Sequence, residues 1–493
     1  MENVQFDKTA VFITMLLYIV LMIGVIVYVA KTKKQHSMED FSLGARNLGW
    51  LTSALASVTS LGSGFMFIGL IGLGYALGGL STWYILADCI NVAVLWTFFA
   101  WRFKKYGDFH LSIDVPDVLA NMYHDKKNIL RTIASFTVFI FMLGYISSQM
   151  TAAAKTMVPI IGISFESGII VGSLIVLVFT FFAGFTGIAW TDAAQAIIIA
   201  LVCFVCPFYA VSACGGWANL IATLAAIDPW LLTATGSAGL AVAAALAIGW
   251  IFNALCTWGQ PHVVTRIMAI KDPKLMKRSA LMGAFWFGFT KTSAIILGMC
   301  ARALFPELPD PEMAFPILAG TILHPVFAGV ALCAILAAII TTADANLLAA
   351  TTTIVRNIYQ KLFNGKADEK TLVIYQKILM VILIAFCAFA AIKVQGMVLY
   401  MVWFAYAGSG AALGIPLIVG LYWKRGNIYG ATAGCIVGLV TVVVWNITGW
   451  TKTIIHAACP GIIFALIAVI VVSLLTQKDK VREAEFDEVY EAN

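Results

Sequence analysis

The sequence predicts an all-α polytopic membrane protein, and three observations support this fold class. Hydrophobic residues make up 61% of the 493 positions and charged residues only 11%, whereas soluble domains carry about 25% charged residues. Apolar runs of roughly 20 residues, the length that crosses a hydrocarbon core, recur along nearly the whole chain. These runs do not alternate polar and apolar residues as transmembrane β-strands do. The ten cysteines lie mostly within or beside the apolar runs and are expected to be small apolar residues of the core.

Apolar segments of this kind are predicted to form about thirteen transmembrane helices. They are 9–30, 49–76, 81–101, 130–158, 165–186, 189–213, 237–258, 279–302, 325–356, 373–392, 398–422, 428–447 and 457–476. The first segment lacks a basic start and a small-residue cleavage pattern. It is therefore expected to be a retained helix rather than a signal peptide.

Basic residues fall in alternate connections between these segments. Segments 31–47, 102–131, 259–278, 356–377, 424–425 and 478–482 hold 25 of the 31 lysines and arginines. The loop 214–236 has none, and 303–324 carries only acidic charges. The positive-inside rule then places the N-terminus outside and the C-terminus in the cytoplasm of a multi-pass cell-membrane protein, with 477–493 as a solvated tail. The net charge of +6 follows from this pattern and does not indicate nucleic acid binding.

Two apolar runs are interrupted by small and polar residues. They are "TSLGSGF" at 59–65 and "IGWIFNALCTWGQP" at 248–261. Glycine costs a helix about 1 kcal/mol relative to alanine, although it also permits close helix packing. Interrupted helices in corresponding halves indicate the midplane site of a transporter. The two breaks lie five helices apart and predict an inverted repeat. The predicted divisions are 1–48 (leading helix and first cytoplasmic loop), 49–236 (first five-helix repeat), 237–427 (second repeat), 428–476 (two further helices) and 477–493 (tail).

A charge within a membrane helix is costly unless it faces a cavity or a partner, so ionisable residues inside the predicted helices are candidates for function. Asp88, Lys291 and Asp344 are deep, Asp192 is near a cytoplasmic helix end, and Lys155 is near an outer end. Lys155 is expected to extend to the interface. For Asp88, an interhelical contact and a role in transport both stay open. Threonine hydroxyls accompany Asp192 in "AWTDAAQ" and Asp344 in "TTADAN", and together these groups offer hard oxygen ligands to a small cation. Alternatively, threonines in membrane helices hydrogen-bond to the backbone.

Several stretches together resemble the sodium:solute symporter family over essentially the full length, and most closely its bacterial sodium/proline symporter branch. They are "GARNLGW", "AWTDAAQA", "GQPHVVTRIMA", "AILAAIITTADANLL" and "AGSGAALGIPLIVGLYWKRG". The resemblance implies a five-plus-five inverted-repeat core with broken helices and a cation site between the first and eighth core helices. It also implies symport by alternating access, in which inward movement of Na+ drives uptake of a small organic solute.

The resemblance also implies functional residues. The main sodium site would take side-chain oxygens from Thr341 and Thr342, and backbone carbonyls from Thr59, Gly62 and Ala338. Asp192 and Asp344 match a second sodium site that some members have. The substrate pocket would involve Ser63, Tyr145, Asn253, Thr257 and Trp258.

Some positions depart from the pattern of that branch. Leu61 stands where the branch has an aspartate, and Asn253 and Thr257 replace two aromatic residues. The resemblance implies an amino acid such as proline or a related carboxylate as the solute. The replacements at Asn253 and Thr257 favour a solute that is more polar or bulkier than proline.

Lys291 is the most unusual departure, because a small apolar residue is expected there. One hypothesis pairs it with Asp344 or Asp192, in the space of the second sodium ion. A variant lets this pair titrate and couple transport to H+. The alternative is a structural ion pair with Asp88.

The sequence thus predicts a transporter and not an enzyme, since no nucleophile motif accompanies the aspartates. Na+, or else H+, is the expected coupling ion, and no cofactor is expected. The small organic solute, Na+ and the lipid bilayer are the expected partners, without nucleic acid or an obligate protein partner. A proton-coupled or uncoupled transporter of the same fold is the alternative. A transporter-like sensor is a more distant one, since the tail is too short for a signalling domain.

Overall fold

The computed structural model describes residues 8–32, 38–44, 50–237, 239–271, 276–363 and 365–490, and within them the chain is helical without strands. Residues 45–49 of "GARNLGW" lie outside this part. The α-helices are α1 (Lys8–Thr32), α2 (Met38–Leu43), α3 (Trp50–Phe65), α4 (Ile71–Leu77), α5 (Thr82–Val94), α6 (Ala100–Phe109), α7 (Val115–Met122), α8 (Ile129–Ile161), α9 (Phe165–Ala213), α10 (Trp217–Ile227), α11 (Gly239–Leu255), α12 (Pro261–Met268), α13 (Met276–Leu304), α14 (Ala314–Ile322), α15 (Pro325–Thr353), α16 (Glu369–Val394), α17 (Val398–Ser409), α18 (Ile415–Tyr422), α19 (Ile428–Ile447), α20 (Trp450–Thr453), α21 (Ala458–Leu475) and α22 (Lys480–Tyr490). Shorter π-helical turns (Met66–Leu70, Leu95–Phe99, Ile354–Phe363, Gly410–Gly414) and 3₁₀ turns (Gly78–Ser81, Pro229–Leu232, Cys256–Gly259, Pro311–Met313) join them.

Eleven helices of the described part are long and apolar enough to cross a membrane. Two of them, Val58–Phe109 with 52 residues and Phe165–Ala213 with 49 residues, are much longer than one crossing requires. At 1.5 Å per residue, such a helix would be about 75 Å long against a hydrocarbon core of about 30 Å. Glycines with positive φ interrupt both: Gly78 (φ 53°) and Gly184 (φ 56°). The multi-pass fold is confirmed, and the count of thirteen and the division into repeats stay predictions.

Helix α15 forms the centre of the bundle. Every residue from Ala331 to Thr353 is buried, and α15 packs against α1, α3, α8 and α9. A helix buried on all sides is apolar all round, so its few polar side chains face other protein groups and not lipid. Helices such as α16 lie outside, where Ile382 and Phe386 are more than half exposed.

The predicted break in α3 is confirmed. Ser63 has φ 48° and ψ 173°, a conformation that few residues other than glycine adopt. Its own Oγ accepts a hydrogen bond from the N–H of Phe65 at 3.0 Å. A Cβ atom on Gly64 would lie 2.6 Å from Cγ1 of Ile339. The glycine is therefore required for α15 to approach the broken segment.

The second predicted break is also confirmed. Helix α11 ends at Leu255, a 3₁₀ turn follows over Cys256–Gly259, and α12 begins at Pro261. A Cβ atom on Gly259 would lie 2.2 Å from the carbonyl oxygen of Ser409. This glycine allows the turn to pack directly against the end of α17.

The sequence predicted a solvated tail, but in the structure α22 packs against other segments. Arg482 is only 2% exposed, and its guanidinium donates to the carbonyl oxygens of Met122 at 3.1 Å, Gly420 at 2.8 Å and Lys424 at 2.6 Å. The helix therefore joins the end of α7 to the end of α18.

A carboxylate on α22 binds two histidines from the α6–α8 region. Glu485 lies 2.7 Å from Nε2 of His110 and 2.8 Å from Nε2 of His124. The hydrogen bond to Glu485 raises the pKa of His124, and partial burial opposes this shift. Burial alone would raise the pKa of Glu485, but hydrogen bonds from the two histidines and Tyr106 hold it well below its usual range.

Candidate functional site

Hydroxyl groups of α15 face backbone carbonyls at the break in α3. Thr341 Oγ1 lies 3.1 Å from the carbonyl oxygen of Ala338 and 3.4 Å from that of Thr59. Thr342 Oγ1 donates to the carbonyl oxygen of Ser60 at 2.8 Å. These residues are all at most 1% exposed. The structure therefore brings together four of the five residues predicted for the main cation site and adds the Ser60 carbonyl, while Gly62 lies in the same segment directly before the break.

The break explains why these carbonyls are available. In an unbroken helix the Ser60 carbonyl would accept the N–H of Gly64, four residues later. That N–H instead donates to Gln149 Oε1 at 3.0 Å, so the carbonyl is free to accept from Thr342. Sequence analysis missed Gln149, although its place four residues after Tyr145 puts both on one face of α8.

This group of oxygens suits a small monovalent cation. Hydroxyl and carbonyl oxygens are hard ligands, and the site itself contributes no carboxylate whose charge would favour a divalent ion. Unwound carbonyls near the middle of broken membrane helices coordinate Na+ or H+ in secondary transporters. The geometry therefore supports a Na+ site that spans α3 and α15.

The three residues of the predicted second site do not form one cluster. Asp192 Oδ2 accepts from Arg266 Nη2 at 2.7 Å. Asp344 is fully buried, and neither of its carboxylate oxygens has a hydrogen-bond partner among the described residues. Lys291 Nζ lies 3.0 Å from Asp88 Oδ2.

The structure decides between the two alternatives left open for Lys291 and changes the interpretation of Arg266. Lys291 pairs with Asp88, and not with Asp344 or Asp192, because α13 faces α5 at this level. Arg266 was counted with a cytoplasmic loop, but it lies within α12 and is only 2% exposed. Counting basic residues treats each as solvated, whereas a buried guanidinium is stable beside a buried carboxylate.

Next to the break lies a small cavity. Its lining consists of Leu61, Phe65, Tyr84, Asp88, Asn91, Tyr145, Asn253, Ala254, Thr257, Phe287, Lys291, Val402 and Tyr406. We call it the central cavity. It includes three residues of the predicted substrate pocket, and also Lys291 and Asp88. Ser63 and Trp258 are not among its described lining residues, and the Trp258 ring stacks against Phe99 with centroids 6.5 Å apart.

A thin layer of side chains separates the central cavity from a second one. The second cavity is similarly small, and its lining includes His262, Arg266 and Asp114. The Tyr145 ring, which lines the central cavity, packs edge-on against His262 at 5.7 Å and against Tyr406 at 5.7 Å. This aromatic contact therefore lies between the two cavities.

Lys155 forms buried ion pairs, whereas the sequence predicted a side chain that extends to the membrane interface. Its ammonium lies 2.6 Å from Glu312 and 2.7 Å from Asp310, and the residue is 6% exposed. Glu312 also accepts the N–H groups of Val398 and Leu399 at 3.0 and 2.8 Å. Glu312 thus joins Lys155 to the first N–H groups of α17. A structural role explains this ion pair fully.

Residues 41–438 match the family described as the Sodium:solute symporter family. The chain is 30% identical over 463 residues to the High-affinity proline transporter PutP of Bacillus subtilis, covering 93% of this chain and 96% of that protein. It is 28% identical over 481 residues to the Sodium/proline symporter of Escherichia coli, covering 95% and 93%. Among solved structures, the substrate-bound, outward-open state of a Na+-coupled sialic acid symporter has the same fold, with TM-score 0.79, 17% identity and coverage of 96% and 99%.

Proposed function

The chain belongs to the sodium:solute symporter family, and from this premise we propose that it carries a zwitterionic amino acid, with proline as the first candidate, into the cell together with Na+. Membership makes it a sodium-coupled transporter and not an enzyme. Relatives named as proline transporters support an amino acid as the solute. The polar side chains of Asn253 and Thr257 in the lining of the central cavity also suit a more polar amino acid.

One observation carries this proposal: the cation ligands and the solute cavity share one broken segment. The carbonyls of Thr59 and Ser60 face α15, while Leu61 and Phe65 line the central cavity. Na+ bound between α3 and α15 would hold this segment in one conformation and so shape the cavity. A ligand shifts a conformational equilibrium only by its different affinity for the two states, and a shared segment supplies that difference.

We propose a single coupling Na+ at the main site. Arg266 already places a positive charge beside Asp192, 2.7 Å from its carboxylate, which disfavours a second cation there. One charge moving down a potential of 100 mV supplies about 2.3 kcal/mol, enough for roughly fiftyfold accumulation of a neutral solute.

We further propose that the N-terminus is outside the cell and that α22 lies at the cytoplasmic face of the cell membrane. Support comes from the basic residues of 102–131, because α22 binds this segment through His110 and His124. The tail and the basic loop therefore lie on one side, as the positive-inside rule requires.

The test is uptake of radiolabelled L-proline and of a panel of amino acids into proteoliposomes. We expect accumulation with an inward Na+ gradient and none with K+ in its place. The ratio of Na+ to solute flux should be one. Equal accumulation in Na+-free medium, driven by a proton gradient, would overturn sodium coupling. A ratio of two would overturn the single site.

A further inference from the structure

A buried ion pair lines the central cavity. Lys291 on α13 and Asp88 on α5 are in contact at 3.0 Å, with their side chains 3% and 15% exposed. The ammonium also lies 5.2 to 5.6 Å from the ring centroids of Tyr84, Phe65 and Phe287, close enough for cation–π attraction. Three rings thus hold the charged end of Lys291 at the cavity wall.

This pair differs from the structural pair of Lys155. The Lys155 ammonium donates a hydrogen bond to Glu312, which also accepts two backbone N–H groups. The Asp88 oxygen that faces Lys291 makes its contact without hydrogen-bond geometry. Buried pairs rarely stabilise a fold more than apolar residues do. A loosely held pair at a cavity wall is better explained by a ligand than by stability.

Other polar groups of the cavity also lack partners. The oxygens Asn91 Oδ1 and Asn253 Oδ1 are buried and make no hydrogen bond within the described residues. The Asn91 amide nitrogen donates to Thr257 Oγ1 at 3.0 Å, and that hydroxyl donates to the Ala254 carbonyl at 2.7 Å. This chain fixes the Asn91 side chain and leaves its oxygen as an acceptor. Buried acceptors without donors indicate a ligand that brings its own N–H groups.

We propose that Lys291 is a specificity-determining residue that binds the carboxylate of the solute, and that Asp88 is its counter-ion in the empty cavity. When the solute binds, Asp88 pairs with the ammonium group of the solute. The side-chain oxygens of Asn91 and Asn253 accept hydrogen bonds from the same ammonium group. This inference rests on the proposed function for a solute in the central cavity, and it assigns that solute to the zwitterionic α-amino acids.

Charge balance selects this class of solute. The pair is neutral, and a zwitterion exchanges partners with it, so that each buried charge keeps an opposite charge beside it. A monocarboxylate would take Lys291 and leave Asp88 unpaired, which is strongly unfavourable in a buried site. A sugar would leave the pair intact and gain nothing from Lys291.

The experiment compares L-proline with prolinamide, which keeps the amine but has no carboxylate, as competitors for amino acid uptake. The variant is Lys291→Met combined with Asp88→Asn, since removing both charges leaves neither unpaired. Lys155→Met combined with Glu312→Gln is the matched control, because it likewise removes both charges of a buried pair, but outside the cavity. Na+-induced thermal stabilisation reports folding and cation binding independently of the solute.

Wild type and the control with Lys155→Met and Glu312→Gln should prefer proline over prolinamide by at least about tenfold, as expected for one charge-assisted interaction. The double variant should retain its Na+-induced stabilisation and lose this preference, with the two competitors within about twofold. If the double variant binds Na+ and still discriminates tenfold, the proposal is overturned. If it does not fold, wild type alone decides, since equal inhibition by proline and prolinamide would also overturn it.

The outcomes separate this inference from the proposed function. If another amino acid of the panel is the one transported, its own amide replaces prolinamide. If Na+ drives uptake of a sugar but of no amino acid, the role of Lys291 fails while sodium coupling stands. If Na+ neither stabilises the protein nor drives uptake of any solute, the proposed function itself fails.

Discussion

Replacing Thr342 with valine tests the cation site directly, because valine keeps the shape of the side chain and removes its oxygen. The hydroxyl is fully buried and donates to the Ser60 carbonyl at 2.8 Å. Without Na+, the variant loses this hydrogen bond and leaves a buried carbonyl unpaired, which costs about 1–3 kcal/mol of unfolding free energy. With Na+, it also loses one ligand of a charged group, worth about 1.5–3 kcal/mol.

The loss of one Na+ ligand raises the Na+ concentration for half-saturation by roughly ten- to a hundredfold. The assay is thermal unfolding of purified protein titrated with Na+ at constant ionic strength. Thr342→Ser keeps the oxygen and should stay close to wild type. Thr180→Val is the matched control, because the Thr180 hydroxyl is equally buried but donates to the Val176 carbonyl of its own helix at 2.8 Å. Unchanged half-saturation in Thr342→Val, or an equal change in Thr180→Val, would refute the site.

Three further predictions concern the fold and the tail. Gly298→Ala should lower the unfolding free energy by about 3 kcal/mol or more, because its Cβ atom would lie 2.3 Å from the carbonyl oxygen of Ile71. Arg266→Met should destabilise the protein by about 3–5 kcal/mol, because it leaves the buried carboxylate of Asp192 without an opposite charge. The unfolding temperatures of the Gly298 and Arg266 variants measure these effects. The raised pKa of His124 should keep α22 bound below about pH 6.5, the unperturbed value, and release it progressively as the pH rises through the folded-state pKa. Protease cleavage within the tail, measured against pH, reports this release.

Each of these predictions has a control that could contradict it. Gly288 has no atom within 4 Å of its added Cβ, so Gly288→Ala on the same helix should be nearly neutral. Adding Asp192→Asn to Arg266→Met should recover most of the lost stability, and no recovery would argue against the ion pair. His124→Gln should flatten the pH profile of tail cleavage. A profile that rises equally steeply in this variant would assign the titration to another group.

Sequence patterns predicted the membrane helices well because the bilayer fixes their length. The breaks were also predictable, since small and polar residues inside an apolar run disfavour a continuous membrane helix. Thr341 and Thr342 were located for a related reason, because hydroxyls are conspicuous in so apolar a segment, and α15 indeed buries them against the break.

Partners across helices were harder to predict. A charge at membrane depth requires an opposite charge, but the sequence does not tell which helix faces it. The sequence therefore left two partners open for Lys291, either Asp344 or Asp192 in one hypothesis and Asp88 in the other, and the structure has Asp88. Trp258 shows the same limit: its neighbour Thr257 lines the central cavity, whereas the indole lies against Phe99. One step along the turn changes the direction of the side chain, and only packing determines which direction is inward.

Helix α22 has a consequence for biosynthesis. Each apolar span can enter the bilayer as it leaves the ribosome, but Arg482 draws together carbonyls from Met122, Gly420 and Lys424, which are made long before it. This end of the bundle is therefore completed only after translation has passed the last span. A nonsense mutation just after Gln477 would yield a chain with all its spans inserted but without the Arg482 contacts. Quality-control proteases could recognise such a chain.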